Sequence, residues 1–196
     1  MNLTIDPRTE AARPGGVRLN LGQYVKYFPF WPGVFSAALA LGAGLVLFRT
    51  LHGLWLAVPA AAAFLIYKSH LTAHFSRGCT NPAIVLQSRP LLLAVYSDLS
   101  TGSGSYPVIK VLHHPAGGER LAPQTRCATI SLYSGSTQSA RWEDFTPRLM
   151  TAAHSDRRAM IAAMEYIPEE EWSLLERAVA DLPKPWKPGL YPILKR

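Results

Sequence analysis

The stretch DLSTGSGSYPVIK, from Asp98 to Lys110, is the part of the sequence best equipped to hold a ligand. Gly102 and Gly104 would let backbone N–H groups approach a phosphate, and Lys110 could supply the countercharge. Asp98 offers an acid, and Ser100 and Tyr106 add hydroxyls. The P-loop spacing is absent, because no lysine follows the second glycine directly and no helix comes next. The dinucleotide fingerprint fails too, since a strand follows the glycines. A flexible hairpin loop is the simpler reading of the same residues.

The other reactive types are scattered. His113, His114 and Cys127 would have to converge from neighbouring strands to hold a metal, and adjacent histidines in a strand point to opposite faces. His70 and His74 share a helical face but lie where an interfacial role is simpler. Cys79 and Cys127 are the only cysteines, and neither belongs to a C-x-x-C pair. Glu169, Glu170 and Glu171 suit the first turn of a helix, where acids meet the positive end of the dipole. Trp142, beside Glu143, Asp144 and Phe145, reads as a packed corner, and PWKP around Trp186 matches only a bare P-x-x-P. Both tryptophans are nevertheless candidate interface anchors. No G-x-S-x-G, Ser/His/Asp order or zinc-protease motif is present, so no catalytic residue, metal or cofactor is assigned and the reading leans away from an enzyme.

Elements that would position these residues change character along the chain. PAIVLQS, PLLLAVYSDL, YPVIKVLHH and CATISLYS are short, rich in β-branched and aromatic residues, and separated by Pro, Gly and Ser. They read as four strands, with room for a fifth, of a small antiparallel barrel or curled sheet. HSDRRAMIAAMEYI and IPEEEWSLLERAVADLP then read as two helices, with Met160, Ile161, Met164 and Ile167 on one apolar face and Trp172, Leu175, Val179 and Leu182 on the other. PKPWKPGLYPILKR cannot continue a helix and should run extended across the domain.

Ahead of that domain lie two uncharged runs, Tyr27 to Phe48 and Thr50 to Tyr67, the second extendable to Leu71. A bilayer core of about 30 Å needs roughly 20 helical residues. Neither run has the polar face of a surface helix, and the first is too long, and begins too late, for a signal peptide. They read as a transmembrane hairpin with FRTLHG as its outer turn. Arg13, Arg18, Lys26, Lys68 and Arg77 flank it against Arg49 alone in the turn, which places both termini in the cytoplasm. Gly33, Ala37, Ala40 and Gly44 share a helical face, and Ala57 with Ala60 to Ala63 gives the second helix a small surface; such faces suit helix association and homo-oligomers. No Asp, Glu, Lys or Arg lies between Lys26 and Lys68 apart from Arg49 in the turn, so the hairpin reads as an anchor or assembly surface and not a transport path.

The net charge of +7 follows the hairpin. From Cys127 to Arg196 acids and bases balance, whereas a nucleic-acid binder would gather its cations on the folded domain. GCTNPAIVL, LLLAVYSDLSTGSGSYPVIKV and the terminal PWKPGLYP resemble a bacterial membrane-protein family of uncharacterised function, over about residues 78–192. The resemblance implies a bacterial source and carries no activity and no site residues.

The fold class expected is therefore α+β: a cytoplasmic segment 1–26, a transmembrane hairpin 27–71 in the inner membrane, and a cytoplasmic domain 72–196. The leading functional reading is a membrane-anchored interaction or adaptor protein, with the lipid bilayer and a membrane-associated protein as partners and no nucleic acid. The alternative is a ligand-binding protein or enzyme acting on a lipid headgroup or nucleotide at the membrane surface, through the glycine loop.

Overall fold

The structure, a computed structural model, describes residues 11, 13–48, 51–101, 104–118, 121–135, 139–154 and 156–193. Arg49 and Thr50 of the expected turn, and Gly102 of the glycine loop, lie outside the described residues.

Three helices open the fold: α1 (Leu21–Tyr27), α2 (Phe30–Leu47) and α3 (His52–Arg77). Asn20 caps α1 by accepting from the Gln23 N–H at 3.1 Å. Pro29 and Pro32 fall at the start of α2, where a missing N–H costs least. Both α2 and α3 are long and apolar enough to cross a bilayer, and their outward side chains are bare; Trp55 is 82% exposed and Leu65 63%. A soluble core helix would be covered on all sides. A continuous apolar surface of this kind is that of a membrane-associated segment.

The two helices meet through glycine. A Cβ on Gly53 would collide with the Gly42 carbonyl oxygen and come within 2.8 Å of the Val46 nitrogen. One on Gly42 would lie 2.8 Å from the Ala57 Cβ. Close backbone contact of this kind drives helix association in lipid. The hairpin closes on Gly42, not on the Gly33–Gly44 face: an added Cβ at Gly33 or Gly44 meets nothing within 4 Å. Gly53→Ala should therefore destabilise the protein by about 2 kcal/mol through overpacking. Gly33→Ala should leave it unchanged, as thermal unfolding in detergent would measure.

α3 does not stop at the expected juxtamembrane segment. It continues unbroken to Arg77, and its last two turns bury Leu71, His74 and Phe75 beneath the sheet. The strands follow: β1 (Cys79–Ser88), β2 (Leu91–Asp98), β3 (Pro107–His113), β4 (Arg126–Ser134), β5 (Asp144–Leu149) and β6 (Gly189–Pro192). They form one antiparallel sheet in the order β5-β4-β1-β2-β3-β6. Residues 126–134 and 144–149 pair directly, so the stretch read as a packed corner supplies an edge strand. The C-terminal extended segment supplies the other edge. Helices α4 (Arg157–Glu165) and α5 (Glu169–Asp181) lie between β5 and β6 in sequence.

Alternation along the strands divides the core in two. Ile84, Leu92, Ala94, Ile109 and Ile130 face α5, the end of α3 and the segment around Val17 and Tyr24. Ala83, Val85, Leu93, Val95, Val108 and Phe145 face the other way and pack on one another. That second face is the inside of a curl. In a flat sheet β3 and β5 would stand about 19 Å apart, at roughly 4.8 Å per strand. The Lys110 amine on β3 nonetheless reaches the Asp144 carboxylate on β5 at 2.7 Å. A register shift between Val85 and Gln87 helps bend the sheet. The fold is a half-barrel: β5 and β6 do not pair, so the curled-sheet expectation holds and the closed barrel does not.

Candidate functional site

The glycine loop is held by its own acid. Asp98 ends β2, and its carboxylate accepts hydrogen bonds from the Ser100 N–H at 2.8 Å, the Tyr106 N–H at 2.9 Å and the Ser105 hydroxyl at 2.9 Å. Burial works to raise its pKa, but these hydrogen bonds outweigh it and hold the carboxyl below its ordinary range. Gly104, at φ +138°, supplies the backbone angle that L residues rarely adopt. The loop is then docked at its base. Trp142 N–H donates to the Leu99 carbonyl at 2.7 Å, Thr101 N–H to the Ala140 carbonyl at 3.3 Å, and Ser100 bridges to Arg141. Arg141 also stacks on the Tyr106 ring, 5.4 Å from its centroid.

Asp98, Ser100, Gly104 and Tyr106 are thus gathered in one loop, but Lys110 is not with them. It projects into the curl, where it pairs with both Asp144 oxygens, donates to the Phe145 carbonyl and lies 5.5 Å from the Phe145 ring centroid. Acid and lysine are each occupied by a different partner, so the pair does not frame a phosphate cradle. Asp98→Ala should free three donors and cost about 1–2 kcal/mol. Hydrogen exchange at the Ser100 and Tyr106 amides should accelerate while that of β3 does not.

Trp142 is 7% exposed inside the curl, beside Tyr133 and Phe145, and presents no anchor to a partner. Trp186 is half-buried against the α5 side of the core, with the Lys184 amine 5.3 Å from its ring centroid. Its indole N–H is buried without a partner among the described residues. His113 is exposed and His114 buried, as alternation requires. No group of three metal ligands occurs among the described residues.

Two features were not read from the sequence. The first is a cleft of about 420 Å³ between the Pro14–Arg18 segment and α4. Val17, Arg18, Met150, His154, Ala162 and Tyr166 line it. Its depth comes from small side chains, Ala159, Ala162 and Ala163, where α4 faces that segment. The alanine spacing was the available signal, but nothing in it says what the helix faces.

The second is a junction where domain and hairpin meet. Arg148 on β5 lays its guanidinium over the Tyr24 and Phe28 rings, 5.6 and 5.2 Å from their centroids, and donates to the Tyr24 hydroxyl. Burial pushes the Tyr24 phenol up, so it stays neutral and can serve the Tyr67 hydroxyl of α3 at 3.2 Å. Tyr67 in turn packs on Phe35 of α2 at 5.6 Å. Below Arg148, His114 is locked as one tautomer: Nδ1–H donates to the Pro115 carbonyl at 2.8 Å and Nε2 accepts from the Leu149 N–H at 3.2 Å. Burial first, then the Arg148 charge, depresses its pKa to about 4 against the Pro115 hydrogen bond. The loop that follows presses on α1, since a Cβ on Gly117, at φ +56°, would lie 2.5 Å from the Tyr27 ring.

No curated protein matches the chain. A solved structure described as a "putative membrane protein" from Corynebacterium diphtheriae is similar at 16% identity and a TM-score of 0.49, over 58% of this chain and 99% of that one. A family model described as "Protein of unknown function (DUF3239)" matches residues 68–182. Those residues run from the last three turns of α3 to the end of α5, which is more than half of the chain. They include Lys110 and Asp144 of the curl and Arg148 and His114 of the junction, but not Tyr24, Phe28 and Tyr67, nor the Pro14–Arg18 wall of the cleft. The protein belongs to this family of unknown function.

Proposed function

We propose that the protein is a multi-pass protein of the bacterial inner membrane whose hairpin, residues 27–67, spans the bilayer and presents the rest of the chain in the cytoplasm as an interaction module. Leu71, which the sequence placed in the hairpin, is buried in the domain instead. Both termini are cytoplasmic in this reading. The observation that carries it is the continuity of α3, which passes from bare apolar surface into the domain core with no linker. A tether would leave the domain free to tumble. This joint fixes its orientation to the membrane, which raises its effective concentration for membrane-bound partners and selects among their approaches. The basic flanks Lys26, Lys68 and Arg77 support the cytoplasmic side.

The partner surface in this reading is the outer edge of α4, where Ile161 is 46% exposed and Tyr166 72%. Trp186 and Tyr106 are secondary contacts, and the bare Gly33, Ala37 and Ala40 face of α2 is available to a second copy of the hairpin. Alkaline carbonate should leave the protein in the membrane, and protease outside intact cells should spare the C-terminal domain. Purification in mild detergent should retain a membrane-associated protein that Tyr166→Ala releases. Extraction by carbonate, or digestion from outside, would contradict the topology.

The cleft favours a second reading, a ligand-binding protein or enzyme for a lipid headgroup or nucleotide, with Arg18 and His154 as the polar contacts in place of the glycine loop. A small molecule retained through purification and lost in Ala162→Phe would support it over the adaptor.

A further inference from the structure

We propose that the side of the domain facing the hairpin carries a collar for the phosphate groups of anionic phospholipids, formed by Arg148, Lys26 and Lys68. The inference rests on the spanning reading above.

Arg148 is the central observation. Every other arginine reaching into the described core has a carboxylate: Arg13 pairs with Glu171 at 2.7 Å, and Arg126 with Glu169 and Glu176. Arg148 has none among the described residues. A guanidinium carries five N–H donors, and here one is spent on the Tyr24 hydroxyl. The Arg148 guanidinium carbon is held 5.6 and 5.2 Å from the Tyr24 and Phe28 ring centroids, which restricts the group and leaves N–H donors for a two-oxygen acceptor such as a phosphate.

The depth of this guanidinium matches a headgroup layer. The Tyr24 and Tyr67 hydroxyls, 3.2 Å apart, join α1 to α3 at this junction. Lys26 lies two residues further along α1, and Lys68 one residue further along α3. At about 1.5 Å per helical residue each lysine lies within roughly 3 Å, along its own helix, of the tyrosine that makes the contact. A headgroup region is about 5–7 Å thick on each side of the hydrocarbon. Just beyond, Phe30 and Trp31 are 69% and 53% exposed, as rings at the hydrocarbon boundary would be. Lys26 and Lys68 are themselves exposed and have no ion pair among the described residues.

Charge along the chain points the same way. No Asp or Glu occurs between Glu10 and Asp98, while seven Lys and Arg fall there, equal to the whole net charge of +7. A free inorganic phosphate would not need the aromatic rim or a collar spread over three elements. A leaflet of anionic lipid would meet all three cations at once.

The test uses the full chain in nanodiscs of equimolar phosphatidylglycerol and phosphatidylcholine, with the lipids retained on release counted by native mass spectrometry. Phosphatidylglycerol should be enriched about fivefold or more, since each interfacial cation contributes about that factor. Lys26→Gln with Lys68→Gln, both exposed, should cut the enrichment severalfold without altering thermal unfolding. Arg148→Gln should cut it further, and Arg148→Lys should restore it only in part. Equal retention of the two lipids by the unaltered protein, or unchanged enrichment in the double lysine variant, would overturn the collar. Saturable binding of inorganic phosphate by the detergent-purified protein, without any lipid preference, would assign a free-anion site and overturn it equally. Release of the unaltered protein by alkaline carbonate would overturn the spanning reading and the collar together, whereas retention without lipid preference overturns the collar alone.

Discussion

Phe75→Ala should lower the unfolding free energy by about 4 kcal/mol, the range for deleting a fully buried aromatic ring. Phe75 is 0% exposed and sits where the end of α3 enters the domain, edge-on to Tyr24 with ring centroids 6.2 Å apart. It shares one cluster with Ile130 of β4 and with Trp172 and Leu175 of α5, so its loss opens a cavity among four elements. Against a total of about 5–15 kcal/mol for a domain this is a large fraction. Thermal unfolding in detergent should record it, and limited proteolysis should cut residues 79–193 while the hairpin stays with the membrane. Leu65→Ala, ten residues earlier on the same helix and 63% exposed, should change almost nothing in the same assay. Equal effects at the two positions would mean that α3 does not enter the core.

The second large effect is a pH dependence at His114. Its pKa in the fold is about 4 against an ordinary 6.5. Above pH 6.5 the ring is neutral whether the chain is folded or unfolded, and the full stability is present. As pH falls from 6.5 to 4 the unfolded chain takes up a proton that the folded chain refuses, and stability is lost. Below 4 both states are protonated and the loss levels off. The span corresponds to about 3 kcal/mol. The surroundings of the ring account for the direction: burial comes first, Arg148 on β5 repels the imidazolium, the rings of Tyr27 at the end of α1 and of Phe28 just after it lie 6.1 and 5.5 Å away, and the Leu149 N–H needs an unprotonated Nε2. Unfolding measured from pH 7.5 to 4 should show this component in the unaltered protein and lack it in His114→Gln. Parallel curves for the two would place the proton elsewhere.

The elements were legible wherever periodicity and composition act locally. β1 to β4 each contain one of the apolar, β-branched runs bounded by Pro, Gly or Ser, and α5 follows the acids at its first turn. β5 was hidden because DFTPRL has a central proline and three polar residues; Pro147 is tolerated because β5 is an edge strand. The unbroken α3 was hidden for another reason. KSHLTAHFSR looks like a polar joint, yet Leu71, His74 and Phe75 fall three and four residues apart and bury as a stripe, which only a covering sheet reveals. The loop around Asp98 was read as a candidate ligand site that included Lys110 by nearness in sequence; that the Asp98 carboxylate would organise the loop itself was not legible. The curl gives Lys110 to Asp144 instead, a contact between residues on strands four places apart in the sheet. Arg148 carried no signal at all, since the rings that hold it come from α1, some 120 residues earlier in the chain.

Hydrogen exchange of the full-length protein in nanodiscs, resolved across residues 52–88, tests most directly the claim that hairpin and domain are one continuous unit at a membrane. Exchange should be slow through the exposed apolar turns of α3, with no faster zone between Tyr67 and Gly78, and slow again in β1. A zone of rapid exchange at Lys68 to His74 would mark a hinge there, and α3 would not be one continuous helix from hairpin to domain.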